Sequence, residues 1–122
     1  MKKRILICED DAVLSSMILF KLGKDNLGEV VKVNDGKEAM KLLQEEEFDL
    51  IISDIHMPFI SGMRLLEFVR EDQKKTTNFI ILSSEGLEST VLDAFDLGVT
   101  DFLTKPFSPG ELSMRAKRLL VA

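Results

Sequence analysis

The 122-residue sequence holds one cysteine, Cys8, and one histidine, His56. A single cysteine cannot form an internal disulfide framework, and without a Cys/His set there is no structural zinc site. Cytosolic conditions are therefore expected. Long apolar runs are also missing. Behind the basic start Met1-Lys2-Lys3-Arg4, the first run reaches only from Ile5 to Cys8 before Glu9, Asp10 and Asp11 end it. That is too short for a signal peptide or a membrane span. There is no basic excess either: 21 Asp plus Glu outnumber 16 Lys plus Arg, for a net charge of -5. A domain that grips nucleic acid needs a basic face, so direct nucleic-acid binding is not expected. No stretch is rich enough in Pro, Gly or Ser for a linker. What is present is 45% hydrophobic content. A chain of this size can bury about two thirds of its unfolded surface, so residues 1–122 are expected to form one self-sufficient domain.

Short apolar runs alternate with stretches of helical period. The runs are Arg4 to Cys8, Glu29 to Val33, Leu50 to Ser53, Phe79 to Ser83 and Asp101 to Leu103. Ile5-Leu6-Ile7, Leu50-Ile51-Ile52 and Phe79-Ile80-Ile81-Leu82 are apolar without alternation, as in central strands of a parallel sheet covered on both faces. Helical spacing places Val13, Met17, Phe20, Ile18 and Leu22 on buried faces of the first helix. It does the same for Ala39, Leu42 and Leu43, then Leu65, Leu66 and Val69, then Val91, Leu92 and Phe95, then Leu112, Ala116 and Leu119. Asp35-Gly36-Lys37-Glu38 and Ser108-Pro109-Gly110-Glu111 resemble capping boxes, and Gly23, Gly28 and Gly98 are expected stop signals. Gln44-Glu45-Glu46-Glu47 reads as a solvated helix end, and most Met and Phe are expected in the core, with Phe102 set apart. The pattern predicts a (βα)5 doubly wound, five-stranded parallel sheet of flavodoxin-like topology, with its site at the carboxyl ends of the strands.

Those ends carry Glu9-Asp10-Asp11, then Asp54, then Ser83-Ser84, then Lys105-Pro106. Singly, each has an ordinary explanation: acids after a strand cap helices, serines cap helices, and lysines cover surfaces. Together they form a cluster that needs positive charge, because like charges at 4 Å repel by about 4 kcal/mol at an effective dielectric near 20. Lys105 supplies one charge, and a hard divalent cation, Mg2+ or Mn2+, is expected to supply the rest. Such a set suits phosphoryl chemistry, with Asp54 as nucleophile, Asp10 holding the metal and Glu9 binding it through water or shaping it. Ser83 would donate to a phosphoryl oxygen, Lys105 would pair with it, and His56 would offer its backbone carbonyl to the metal. Cys8 reads as a buried strand thiol.

With these residues in place, the chain resembles the receiver domain of bacterial two-component response regulators from about Lys3 to Leu120. The matching pieces are Ile5 to Asp11, Asp49 to Pro58, Phe79 to Ser84 and Gly98 to Phe107. The resemblance implies that Glu9 and Asp10 are the acidic pair, Asp54 the phosphoacceptor, Ser83 the switch hydroxyl, Phe102 the switch aromatic and Lys105 the active-site lysine. It implies a histidine kinase or phosphotransfer protein as donor, and a self-phosphorylating and self-dephosphorylating phosphoacceptor rather than a turnover enzyme. It also implies a cis Lys105-Pro106 bond, and a phosphorylation-driven change on the face of the fourth helix, fifth strand and fifth helix. Glu9 stands where Asp is more usual, and Ser84 where Ala or Gly is common. Glu85 and His56 fall at positions that tune phosphorylation and hydrolysis rates in the family.

The segment Asp101 to Leu112, followed by Arg115, is similar to receivers of the winged-helix transcription factor subfamily, whose active dimers pair acids and bases across that face. Asp101 with Arg115, and Asp96 with Lys117 or Arg118, are the pairs this implies for a homodimer, although Val91 stands where that subfamily usually has a basic residue. The sequence reaches Leu120-Val121-Ala122 at the last helix, so the expectation is a stand-alone receiver, as in chemotaxis, or a fragment without its output domain. A haloacid dehalogenase-like phosphatase would need Asp where His56 stands. A flavodoxin-like flavin binder would need a phosphate loop where Glu9-Asp10-Asp11 would repel the phosphate. The alternative that remains is a receiver-fold interaction module working without phosphorylation.

Overall fold

The computed structural model describes residues 2–121. Elements follow in strict alternation: β1 (Arg4–Cys8), α1 (Ala12–Lys24), β2 (Glu29–Val33), α2 (Gly36–Glu45), β3 (Leu50–Asp54) and α3 (Gly62–Glu67). Then come β4 (Asn78–Ser83), α4 (Glu88–Asp96), β5 (Asp101–Thr104) and α5 (Pro109–Val121). The strands form one parallel sheet in the order β2-β1-β3-β4-β5. The expected doubly wound α/β architecture is therefore present, and three expected strands are each one residue longer than the apolar runs alone.

The unbroken apolar strands reflect two cores, one on each face. Ile5, Ile7, Leu50, Ile52, Ile80 and Leu82 face Ile18 and Leu22 of α1 and Leu112, Ala116 and Leu120 of α5. Leu6, Cys8, Ile51, Phe79 and Ile81 face Ala39 and Leu43 of α2, Leu65 and Leu66 of α3, and Ala94 of α4. Successive side chains on a strand point to opposite faces, so a strand covered on both sides has no polar positions to spare.

Helix starts follow local chemistry. Asp11 Oδ1 accepts from Val13 and Leu14 N–H at 3.0 and 3.1 Å, Asp35 Oδ1 from Glu38 N–H at 2.8 Å, and Ser108 Oγ from Glu111 N–H at 3.0 Å. Gly98 takes a positive φ of 93° just past α4, as a helix stop should. Gly23 does not stop α1, which runs on to Lys24, and the left-handed residue there is Asn26. The buried stripe of α1 is Ser15, Ile18 and Leu22, whereas Val13 and Phe20 are each 71% exposed and Met17 is also exposed. Only the Ile18/Leu22 half of the expected face is core, because α5 and the sheet cover a single side of α1.

On α4, Leu92 and Phe95 are likewise exposed and Ala94 is the buried residue. Phe20, Phe59, Phe95, Met17 and Met114 are exposed, so phenylalanine and methionine are less confined to the core than expected. Met1 lies outside the described residues. The acidic end of α2 is not simply solvated: Glu46 pairs with Arg4 at 2.7 Å and Glu47 with Lys75 at 2.8 Å. After α3 the chain widens into a π-helical turn, Phe68–Asp72, from which Arg70 Nε donates to Gly98 O at 2.9 Å.

Candidate functional site

In a parallel sheet all carboxyl ends lie on one edge, and the ladder carries the chain past each strand. Glu9 N donates to Val33 O at 3.2 Å, Ile55 N to Leu82 O at 2.9 Å, and Lys105 N to Ser83 O at 2.7 Å. Glu9 and Asp10 therefore follow β1, Asp54 closes β3, Ser83 closes β4 and Lys105 follows β5, where strand order reverses about β1 and β3.

Glu9 is fully buried. Its Oε1 accepts from Lys105 Nζ at 2.9 Å and its Oε2 from Asp11 N–H at 3.1 Å. Lys105 Nζ also donates to Asp54 Oδ2 at 2.8 Å, so one ammonium bridges both carboxylates. Burial pushes the Glu9 carboxyl above its ordinary range; the hydrogen bonds from Lys105 and Asp11 only partly offset this. Burial works against the Lys105 charge, yet hydrogen bonds from its ammonium to Asp54 and Glu9 outweigh it and hold the group above its ordinary value. Lys105 is thus a firm cation. The Lys105-Pro106 bond is cis, as the resemblance implied.

Asp10 is exposed at the mouth of this cluster. One carboxylate oxygen from each of Glu9, Asp10 and Asp54 lies within 4.8 Å of the others. This set of oxygens, with no sulfur or imidazole among them, fits a hard cation such as Mg2+ and does not fit zinc. The His56 ring is exposed, and it is the His56 backbone N–H that donates to Asp54 Oδ1, at 3.4 Å.

Ser83 is buried beside the cluster. Its Oγ donates to Glu85 O at 2.9 Å and accepts from Glu85 N–H at 3.0 Å, a closed local ring that the sequence did not reveal. Phe102, half-buried on β5, packs against the core shared by α2, α3 and α4. The more distant face residues are not gathered into the cluster. Arg115 Nη1 pairs with both Asp101 oxygens, at 3.0 and 2.9 Å, and Nη2 with Glu111 at 3.2 Å, all within one chain. The Asp101 carboxylate holds the Arg115 guanidinium above its ordinary value. Asp96 ends α4, and Lys117 and Arg118 are exposed on α5; among the described residues none of the three makes an ion pair.

Comparison with known proteins decides the family. The response regulator receiver domain model matches residues 5–117. The chain belongs to the response regulator receiver family. Among curated relatives, a probable transcriptional regulatory protein of Picosynechococcus is 36% identical over 98% of this chain and 49% of its own. The receiver spans about half the length of the curated relatives it matches. Among solved structures, the Francisella response regulator 1452 receiver domain superimposes with a TM-score of 0.90 at 31% identity, covering 98% of this chain and 97% of that one. The BeF3-activated DrrB receiver domain, DrrB being a Thermotoga maritima protein, gives a TM-score of 0.89 at 30% identity over 100% of both chains. Receivers of this family are the response elements of two-component systems and partner with histidine kinases. No helix among the described residues is long and apolar enough to cross a membrane.

Proposed function

We propose that residues 1–122 act as a single, cytoplasmic receiver domain that takes a phosphoryl group from a histidine kinase or phosphotransfer protein onto Asp54. The observation that carries this reading is the Lys105 ammonium bridging Asp54 and Glu9 at 2.8 and 2.9 Å, beside the open Asp10 carboxylate. Glu9, Asp10, Asp54 and the His56 backbone carbonyl would hold Mg2+ or Mn2+. The bound cation supplies charge neutralisation for the phosphoryl oxygens and the attacking carboxylate.

An Asp54 oxygen attacks phosphorus, the bond from phosphorus to the donor imidazole nitrogen breaks, and the imidazole leaves with that electron pair. Lys105 then exchanges its Asp54 contact for a phosphoryl oxygen, a charge-assisted bond stronger than a neutral one. Ser83 reaches the phosphoryl group only by giving up its two bonds to Glu85. That exchange makes the hydroxyl a switch: the phosphorylated state favours the packing in which Ser83 has moved and Phe102 fills the space behind it. The outcome is a changed α4-β5-α5 face, controlling a partner or output domain. A homodimer through this face would use Asp96, Asp101, Arg115, Lys117 and Arg118, with Arg115 trading its own chain's Asp101 for the partner copy's.

Intact mass after incubation with acetyl phosphate and Mg2+ tests the reading. One added phosphoryl group is expected in the wild type, and none in Asp54→Asn, in Asp10→Asn at matched Mg2+, or with chelator. Phosphorylation that survives Asp54→Asn would overturn the assignment of the nucleophile. A receiver-fold module that works without phosphorylation would give no adduct and no beryllofluoride complex.

A further inference from the structure

Residues 55–61 lead from Asp54 to α3 and carry the His56 carbonyl. The middle of this loop is tied to another element at Pro58, whose carbonyl accepts from Gly36 N–H at 3.0 Å and from Ile60 N–H at 2.8 Å. Gly36 is the buried first residue of α2, and a Cβ placed there would sit 1.9 Å from Ile60 O and 2.6 Å from its carbonyl carbon. Only a hydrogen fits. The turn behind it is firmly built: Asp35 caps Glu38 N–H at 2.8 Å, and Glu38 Oε2 accepts from Asn34 N–H at 3.2 Å. At the other end of the loop Gly62 N–H donates to Ile55 O at 3.0 Å, with the Asp54 carbonyl so near that a Cβ would lie 2.3 Å from it. The loop is clamped between the first turns of α2 and α3, with the Pro58 and Ile55 carbonyls held as acceptors.

We infer that Gly36, on a helix that contributes no carboxylate to the site, is a positioning residue for cation binding: its close approach to Pro58 and Ile60 fixes the loop that presents the His56 carbonyl beside Asp54. This rests on the receiver reading of the same site. A side chain at position 36 must push the Ile60 backbone outward, and the displacement is passed along the four peptide bonds to His56. The capping-box reading of Asp35-Gly36-Lys37-Glu38 accounts for Asp35 and Glu38 but not for a glycine at a position where helices tolerate most residues. That surplus glycine was the signal in the sequence.

Mn2+ titration followed by electron paramagnetic resonance, with far-UV circular dichroism to confirm folding, separates positioning from packing. In Gly36→Ala, the folded protein should bind Mn2+ about tenfold more weakly than wild type, the loss expected when a group that orients a metal ligand is disturbed. Gly23→Ala, where a Cβ meets nothing within 4 Å, should bind as wild type does. Full folding with unchanged Mn2+ affinity in Gly36→Ala would overturn the inference. Should that variant not fold, amide exchange in the wild type decides: exchange at the Gly36 amide slows with saturating Mg2+ if the clamp and the site are one unit, and an unchanged rate overturns the claim. A wild-type chain that binds no Mn2+ would instead overturn the receiver reading itself, and this inference with it.

Discussion

At the scale of single residues, the site is a contest between burial and charge, and Glu9 against Lys105 shows how it resolves. A fully buried carboxylate alone would be costly; a lysine donating to it and to Asp54 makes the arrangement tolerable while leaving net negative charge for a cation. These residues were legible in the sequence because each closes a strand or stands directly after one, where topology alone brings it to one edge. The ring between Ser83 and the Glu85 backbone was not legible, since a serine at a strand end gives no sign of which main-chain groups it meets. Cys8 illustrates the same contest without a partner of opposite charge. Burial pushes its thiol up to about 12, so the nucleophilic thiolate is scarce at neutral pH. Iodoacetamide at mildly alkaline pH should therefore leave the folded chain unmodified and alkylate Cys8 only at the rate of unfolding. Rapid alkylation without loss of structure, followed by mass spectrometry, would contradict the burial.

At the scale of elements, strands were read almost to the residue, because a sheet covered on both faces forces an apolar run that has no helical counterpart of that length. Helices were read less well. An amphipathic pattern shows which residues are apolar, but which of them are covered depends on neighbours far away in sequence. α1 carries two apolar stripes, and contact with α5 and the sheet selects Ile18 and Leu22 while leaving Val13, Met17 and Phe20 outside. The difference is measurable. Leu22→Ala should cost about 2 to 5 kcal/mol in chemical denaturation, through lost burial and a cavity. Phe20→Ala, the larger truncation by volume, should shift stability by no more than about 0.5 kcal/mol. Equal losses would mean that Phe20 is covered in solution. The π-helical turn after α3 had no sequence signal either. It places Arg70 against the Gly98 carbonyl, a tertiary contact between residues distant in the chain.

At the scale of the whole molecule, the sheet order sets the chemistry. Reversal of strand order about β1 and β3 opens one edge to Glu9, Asp10 and Asp54, and β4 and β5 bring Ser83 and Lys105 to the same edge. The two cores rigidify the strands, while the loops beyond them remain the places where two arrangements can compete. Ser83 sits between a backbone ring that holds it and a site that would attract it. Phe102 is only half-buried on the edge strand, and the switch proposed for it is a repacking from that position. The most direct test of this account is a beryllofluoride titration with Mg2+, followed by amide chemical shifts in the uniformly labelled chain. The account predicts saturable shifts at Asp54, Ser83, Glu85, Phe102 and Lys105 with a single affinity, absent without Mg2+ and absent in Asp54→Asn. Saturable shifts confined to residues away from these strand ends, or a full response in Asp54→Asn, would contradict it.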